Sequence, residues 1–249
     1  MLDLDPDDYD RQLGWVRHAD DQVLAVLDAL PEPAFAGPSL LPGWSRAHVA
    51  AHLAHNAEGL ARLATWAATG VETPMYVSAE SRAADIEATA AHRPADVREK
   101  VAAASTRLVL QLEELPIAAR TVEVRGLFPP AFPAGTLPWQ RVRELWVHLV
   151  DLDAGVALAD IPVHVQEALL DEAAERSVAR GVDPAIALVE DGGTWWQLGE
   201  GLAATTLTGP RPALLAWLTG RPAGAGLGPD ALVVTGAGAP ELPERPAWP

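Results

Sequence analysis

The sequence predicts a mainly α-helical fold in two parts, a four-helix bundle followed by a small α+β domain. In the first 155 or so residues, four long segments carry apolar residues at helical spacing, and such helices pack as bundles. Beyond Gly155 the pattern changes, because eleven of the twenty glycines fall between residues 192 and 238, around short apolar runs. We therefore expect a bundle over residues 1–158 and an α+β domain over residues 159–249.

The bundle helices are delimited by residues that start or stop helices. The apolar stripe of the first helix ends before Pro31, and Gly70 is a typical C-cap for the second. Pro138 favours the start of the last one, since proline is common in a first turn. Between residues 120 and 136, three prolines and two glycines predict a loop with a brief strand at 121–125. The expected helices of this part are 8–30, 45–69, a short one near 79–91, 94–115 and 138–154.

The second part alternates short apolar runs with glycine and proline, which is typical of strands and turns. Its expected elements are a helix at 163–180, strands at 195–198, 204–207 and 231–234, and a short helix from 212 to 219. Helices and strands in this mixed order favour a small α+β fold.

Composition narrows the class of partner. The net charge of −16 argues against nucleic acid and against an anionic membrane surface, because their phosphates would be repelled. The longest apolar runs fall short of the roughly 20 residues that a membrane span needs. The chain has no cysteine, which excludes disulfides and thiolate metal ligands, and its acidic start is unlike a signal peptide. We expect a cytoplasmic monomer that binds small molecules.

Two helical segments carry candidate metal ligands at helical spacing. His48, His52 and His55 share one stripe of the second helix, and Glu144 and His148 share a face of the last bundle helix. Two histidines and one glutamate form the ligand set of an open catalytic zinc site. The spacing alone leaves another interpretation open, with surface or capping histidines on one helix and an ordinary salt bridge on the other.

Other polar residues are candidates for the same site. Asp151 lies one turn beyond His148 and could accept its second ring N–H, or be a plain helix-face acid. Asn56 lies one turn beyond His52 and could accept its second ring N–H in the same way, or contact a ligand. We take it as a cofactor-binding candidate. Arg82 and Arg221 could clamp a carboxylate, or be ordinary surface arginines.

Several sequence blocks are distinctive and follow one another in a fixed order. They are LPGWSRAHVAAHLAHN at 41–56, ETPMYVS at 72–78 followed by Arg82, RELWVHLVDL at 143–152 and PERPAW at 243–248. Together they resemble the mycothiol-dependent maleylpyruvate isomerases, members of the wider DinB-like bundle group. The bundle blocks occur across the DinB-like thiol enzymes, whereas ETPMYVS with Arg82 looks like the isomerase itself. The resemblance implies a DinB-like four-helix bundle followed by a sterol-carrier-like α+β domain.

The resemblance also implies a cofactor set and an active site. Zn²⁺ would be held by the residues that match His52, Glu144 and His148. Arg82 and Arg221 would be active-site arginines. Mycothiol would be the thiol cofactor, which suits a chain that has no cysteine of its own.

The implied reaction is the cis-to-trans isomerisation of 3-maleylpyruvate, a dicarboxylate, to 3-fumarylpyruvate in gentisate degradation in an actinobacterium. A zinc-bound thiolate adds to the double bond, the resulting single bond rotates, and the thiolate departs. The arginines hold the carboxylates and stabilise the enolate. Two alternatives stay open: a mycothiol S-transferase of the same scaffold that acts on other electrophiles, and a non-catalytic module that binds a lipid or another ligand.

Overall fold

The computed structural model describes residues 6–127, 130–224, 226–236 and 241–244. The chain divides into two compact units between Ala154 and Gly155, slightly before the border expected at residue 158. The helices are α1 (Pro6–Ala29), α2 (Arg46–Thr69), α3 (Ala79–Ala90), α4 (Pro94–Glu113), α5 (Leu137–Asp151), α6 (Val163–Ala179) and α7 (Arg211–Thr219). The strands are β1 (Glu123–Val124), β2 (Phe132–Pro133), β3 (Ile186–Glu190), β4 (Trp195–Leu198), β5 (Thr205–Gly209) and β6 (Val233–Gly236).

The C-terminal sequence block and the expected lack of a membrane span can be compared with the described residues only. Of the sequence block at 243–248, residues 245–248 lie outside the described residues. Among the helices of the described ranges, none combines the length and the hydropathy needed to cross a membrane.

Four helices of the first unit pack in a closed ring. α2 packs against α4 and α5, and α1 packs against the same two helices. The shorter α3 lies against α2. Fully buried apolar side chains inside the ring include Val16 and Val23 of α1, Leu53 and Leu63 of α2, Leu108 of α4 and Leu145 of α5. Truncating one such leucine to alanine costs about 2–5 kcal/mol, so this core fixes where the helices of the site lie.

The ends of α2 are set by local interactions. At the N terminus, Ser45 Oγ accepts the N–H of His48 at 3.4 Å, and His48 Nδ1 accepts the N–H of Ser45 at 3.3 Å. His48 Nε2 lies 2.8 Å from Glu87 Oε2 of α3. At the C terminus, Gly70 has φ 72°, a left-handed conformation that glycine adopts without steric penalty. His48 is therefore a capping residue of α2 that also links it to α3.

The second unit is a four-stranded sheet with two helices. The strand order is β4-β3-β5-β6, in which β3 and β5 are parallel and both outer pairs are antiparallel. α6 packs against β4 and α7 against β5. Leu188 and Leu207, from the two central strands, are fully buried. The predicted fold class, a helical bundle with a small α+β domain, is confirmed.

The sequence does not predict β3, and it places β6 two residues too early. β3 belongs to the run AIALVE, whose two alanines weaken the strand signal of Ile186 and Val189, although Pro184 and Gly192 bound it as they would a strand. β6 begins at Val233, because the residues Pro229–Ala231 form a short 3₁₀ turn. Both differences lie in the second unit, where the local patterns are short.

Candidate metal centre

The three predicted ligands meet between α2 and α5. Nε2 of His52 lies 3.0 Å from Oε2 of Glu144 and 3.0 Å from Nε2 of His148. Glu144 Oε2 and His148 Nε2, one turn apart on α5, are separated by 3.5 Å. Bonds of about 2.0–2.2 Å around a tetrahedral zinc ion place ligand atoms roughly 3.4 Å apart. The two imidazoles and the carboxylate therefore have the spacing of ligands to one ion.

A buried carboxylate orients His148. Its Nδ1 lies 2.8 Å from Oδ2 of Asp151, which has no exposed surface. An ionised carboxylate only accepts, so Nδ1 carries the hydrogen. The lone pair of a neutral His148 is then on Nε2 and faces the cluster, which is the tautomer that a metal requires.

Arg82 contacts the other histidine. Its Nη2 lies 3.0 Å from Nδ1 of His52. A guanidinium only donates, so Nδ1 is the acceptor and a neutral His52 carries its hydrogen on Nε2, towards Glu144. The same guanidinium lies 5.6 Å from the centre of the Tyr76 ring. Arg82 and Glu144 therefore favour the His52 tautomer with its hydrogen on Nε2, and in this form Nε2 cannot bind a metal.

Burial and neighbouring charges set the protonation of the cluster. Burial, reinforced by the neighbouring His148, lowers the pKa of His52 to about 4. Burial raises the pKa of Glu144, but hydrogen bonds from His148 and His52 outweigh it and hold the pKa well below its usual value. Burial lowers the pKa of His148, but hydrogen bonds to Asp151 and Glu144 outweigh it and leave the pKa raised. At neutral pH, His52 and Glu144 already have the protonation states of metal ligands.

The ETPMYVS segment is seated on α2. Arg62 donates to the carbonyl oxygen of Met75 from Nη2 at 2.6 Å and from Nε at 3.0 Å. Gly59 leaves room for the same residue, since a Cβ on Gly59 would lie 2.8 Å from Met75 Cγ. Met75 therefore fixes the segment, and Tyr76 follows it beside Arg82.

Asn56 and Arg221 were also predicted as site residues, and their hydrogen bonds go to groups other than the three candidate ligands. Asn56 is buried, and its Oδ1 accepts from Nη1 of Arg141 at 3.0 Å. Arg221 lies in the second unit, where its Nη1 donates to the carbonyl oxygen of Thr219 at 3.1 Å. The roles of Asn56 in cofactor binding and of Arg221 in substrate binding stay predictions.

The sequence reasoning missed three polar residues near the centre. Arg141 is fully buried and pairs with Asp20 of α1 at 3.1 Å, and Ser105 of α4 joins them. A signal was present, because Asp20 lies between Val16 and Val23 in the apolar stripe of α1. An acid in such a stripe needs a buried partner.

Together, the ring of four helices and the three converging side chains define a helical-bundle protein with a cluster that could hold a metal ion. Residues 16–153 match the family described as the mycothiol maleylpyruvate isomerase N-terminal domain, and this stretch is more than half of the chain. The chain belongs to this family.

Two solved structures are similar over almost the whole chain. A crystal structure of the mycothiol-dependent maleylpyruvate isomerase has 30% sequence identity and a TM-score of 0.85, and covers 96% of this chain and 97% of its own. A histidine-to-alanine mutant of such an enzyme has 29% identity, a TM-score of 0.84 and the same coverage. No curated protein sequence matches the chain.

Proposed function

We propose that the protein is a zinc- and mycothiol-dependent isomerase that converts 3-maleylpyruvate to 3-fumarylpyruvate. The observation that carries the proposal is the convergence of His52, Glu144 and His148, in a chain that is similar to such isomerases along its length. We place the enzyme in gentisate degradation in an actinobacterial cytoplasm and expect it to act as a monomer on small molecules, without nucleic acid or a membrane.

The ligand set fits the proposed metal. Two imidazole nitrogens and one carboxylate oxygen lie within 4.8 Å of one another, which leaves a tetrahedral ion one open position. When bound, zinc would favour the thiolate of mycothiol, a nucleophile that can add to a double bond and leave it again. The chain supplies the ligands, their orientation and their charge.

Arg82 connects the metal ligands to the substrate. An imidazole that binds a metal through Nε2 carries its hydrogen on Nδ1, so His52 then has no acceptor left for Arg82. The guanidinium beside His52 is thereby freed to bind a carboxylate in bidentate geometry. We assign Arg82 to one carboxylate of the substrate, and Arg221 remains the sequence-based candidate for substrate binding.

The decisive experiment combines the purified, zinc-loaded protein with mycothiol and maleylpyruvate. We expect the ultraviolet change that marks fumarylpyruvate, and its loss in the His148→Ala variant together with the zinc. The matched control is His92→Ala, because His92 is exposed at the end of α3. No spectral change with the zinc-loaded protein refutes the isomerase.

Two further readouts separate the alternatives. Conjugates of mycothiol with other electrophiles, formed without isomerisation, would identify an S-transferase. Purified protein without bound zinc, in which His52→Ala changes only the stability, would identify a non-catalytic module.

A further inference from the structure

A buried polar network crosses all four long helices of the bundle. Arg141 of α5, which has no exposed surface, donates from Nη2 to Asp20 Oδ1 at 3.1 Å and to Ser105 Oγ at 2.8 Å. From Nη1 it donates to the carbonyl oxygen of Leu53 at 2.8 Å and to Asn56 Oδ1 at 3.0 Å. Ser105 Oγ in turn donates to Asp20 Oδ1 at 2.8 Å. One guanidinium therefore joins α1, α2, α4 and α5.

The network contacts α2 and α5 close to the metal ligands. Arg141 lies less than one turn before Glu144 on α5. Its partners on α2, Leu53 and Asn56, lie next to His52 and about one turn beyond it. A metal site needs its ligands held to within about 0.5 Å, so a rigid link between the two helices at this level affects the ligand spacing directly.

The network is poorly suited to a purely stabilising role. Within the described residues, Asp20 Oδ2 and Arg141 Nε have no hydrogen-bond partner. Buried polar atoms without partners are unfavourable, and apolar replacements of a buried ion pair are often equally stable. Apolar contacts are not directional, whereas the hydrogen bonds of the charged pair fix the angle and register of the helices that they join.

We propose that Arg141, Asp20 and Asn56 are positioning residues that set the register of α2 and α5 at the metal centre. The inference rests on the proposed metal site. Asn56 acts on that site through Arg141, and Asp20 holds the guanidinium where its Nη1 reaches Leu53 and Asn56 of α2.

The test replaces the charged pair by apolar residues of similar size, in the double variant Asp20→Leu/Arg141→Met. We expect its metal-free form to fold with moderately lower stability than the wild type, because no buried charge is left unpaired but Asn56 and Ser105 lose a hydrogen-bond partner. We expect its affinity for zinc, measured by competition with a chelator, to fall by about 10-fold or more. The absorption spectrum of bound Co²⁺ should change as well, since it reports the coordination geometry.

A matched control is Leu63→Ala. Leu63 is fully buried on the same helix as His52, about 16 Å further along it, and the substitution lowers stability without touching the network. Its folded form should keep wild-type zinc affinity. Wild-type affinity and Co²⁺ spectrum in the double variant would overturn the inference while leaving the proposed function intact. Absence of zinc binding by the wild type would overturn the proposed function and the inference with it.

A second variant keeps the test informative if the double variant does not fold. Asn56→Leu removes only the side-chain link from Arg141 to α2. We expect weaker zinc binding in the absence of mycothiol, because the role of Asn56 concerns the ligand spacing. Unchanged zinc affinity with weaker mycothiol binding would instead make Asn56 a cofactor ligand and would overturn the inference.

Discussion

Asp151 accepts the Nδ1 hydrogen of His148 at 2.8 Å from a position without exposed surface. This contact fixes the plane of the imidazole and turns Nε2, the atom that would bind a metal, towards His52 and Glu144. A carboxylate in this position also makes the imidazole a better donor to a metal. The proposed metal centre therefore depends on a side chain one turn beyond its last candidate ligand.

Asp151→Asn should weaken zinc binding by about 10-fold, because a neutral amide is a weaker acceptor for the imidazole N–H. The measurement is the zinc dissociation constant from chelator competition. Asp153→Asn is the matched control, since Asp153 is a mostly exposed acid that pairs with Arg46. Equal losses in the two variants would show that the effect comes from the net charge of the helix end.

Arg82→Met should raise KM for the dicarboxylate and lower kcat/KM by about 10- to 100-fold, the effect of losing a charged hydrogen bond of about 1.5–3 kcal/mol. Zinc affinity should not fall, because Arg82 favours the His52 tautomer that does not bind metal. Steady-state kinetics and zinc titration check both parts. Arg107→Met, at an exposed position of α4, should leave both unchanged. Loss of zinc instead of substrate binding would contradict the assignment.

Gly59→Ala should lower activity by displacing the ETPMYVS segment. The new Cβ would lie 2.8 Å from Met75 Cγ and 3.3 Å from its carbonyl oxygen, so the segment that positions Tyr76 must shift. Gly14→Ala is the control, because nothing lies within 4 Å of a Cβ at this position of α1. The control should gain about 0.5–1 kcal/mol in the free energy of unfolding. A similar gain and full activity in Gly59→Ala would show that the segment adapts.

Glu58→Gln should make stability less dependent on pH. Hydrogen bonds from His55, and then from Lys100, outweigh partial burial and lower the pKa of Glu58 to about 2. Because the pKa in the folded state lies below the value of about 4.3 in the unfolded state, the stabilisation is complete above pH 5 and is lost as the pH falls towards 2.

Urea unfolding of the wild type and of Glu58→Gln checks this. The difference should be about 1–2 kcal/mol at pH 7, allowing for solvent screening of a half-buried group, and should shrink below pH 4. Glu99→Gln is the control, because Glu99 is an exposed acid of α4. A difference that stays constant from pH 7 to pH 3 would contradict the charge-based origin.

The meeting of the three candidate ligands was predictable because their pattern is local. Two residues four apart on a helix share a face wherever the helix packs, so His52 and the pair on α5 could be selected before the helices were placed. The buried partner of Asp20 was not predictable in the same way. Its charge is compensated from α5, more than a hundred residues away in sequence, and only the packing of the bundle brings the two helices together.

In the second unit, too, sequence patterns predict the strands with strong local signals but miss one that depends on its neighbours in the sheet. β4 and β5 follow from apolar runs bounded by glycine and proline. β3 lies between them in the sheet, but two alanines in the run AIALVE weaken the strand propensity that Ile186 and Val189 provide. Pairing on both sides decides its conformation, and that is a property of the assembled sheet.

The proposed ion would join α2 to α5, whose ligands stand about ninety residues apart in the chain. A ligand that binds only the folded form raises its stability by about 1.4 kcal/mol for each tenfold increase in concentration above the dissociation constant. The melting temperature of this bundle should therefore rise with the free zinc concentration. Supply of the ion would then govern how much folded enzyme a cell maintains.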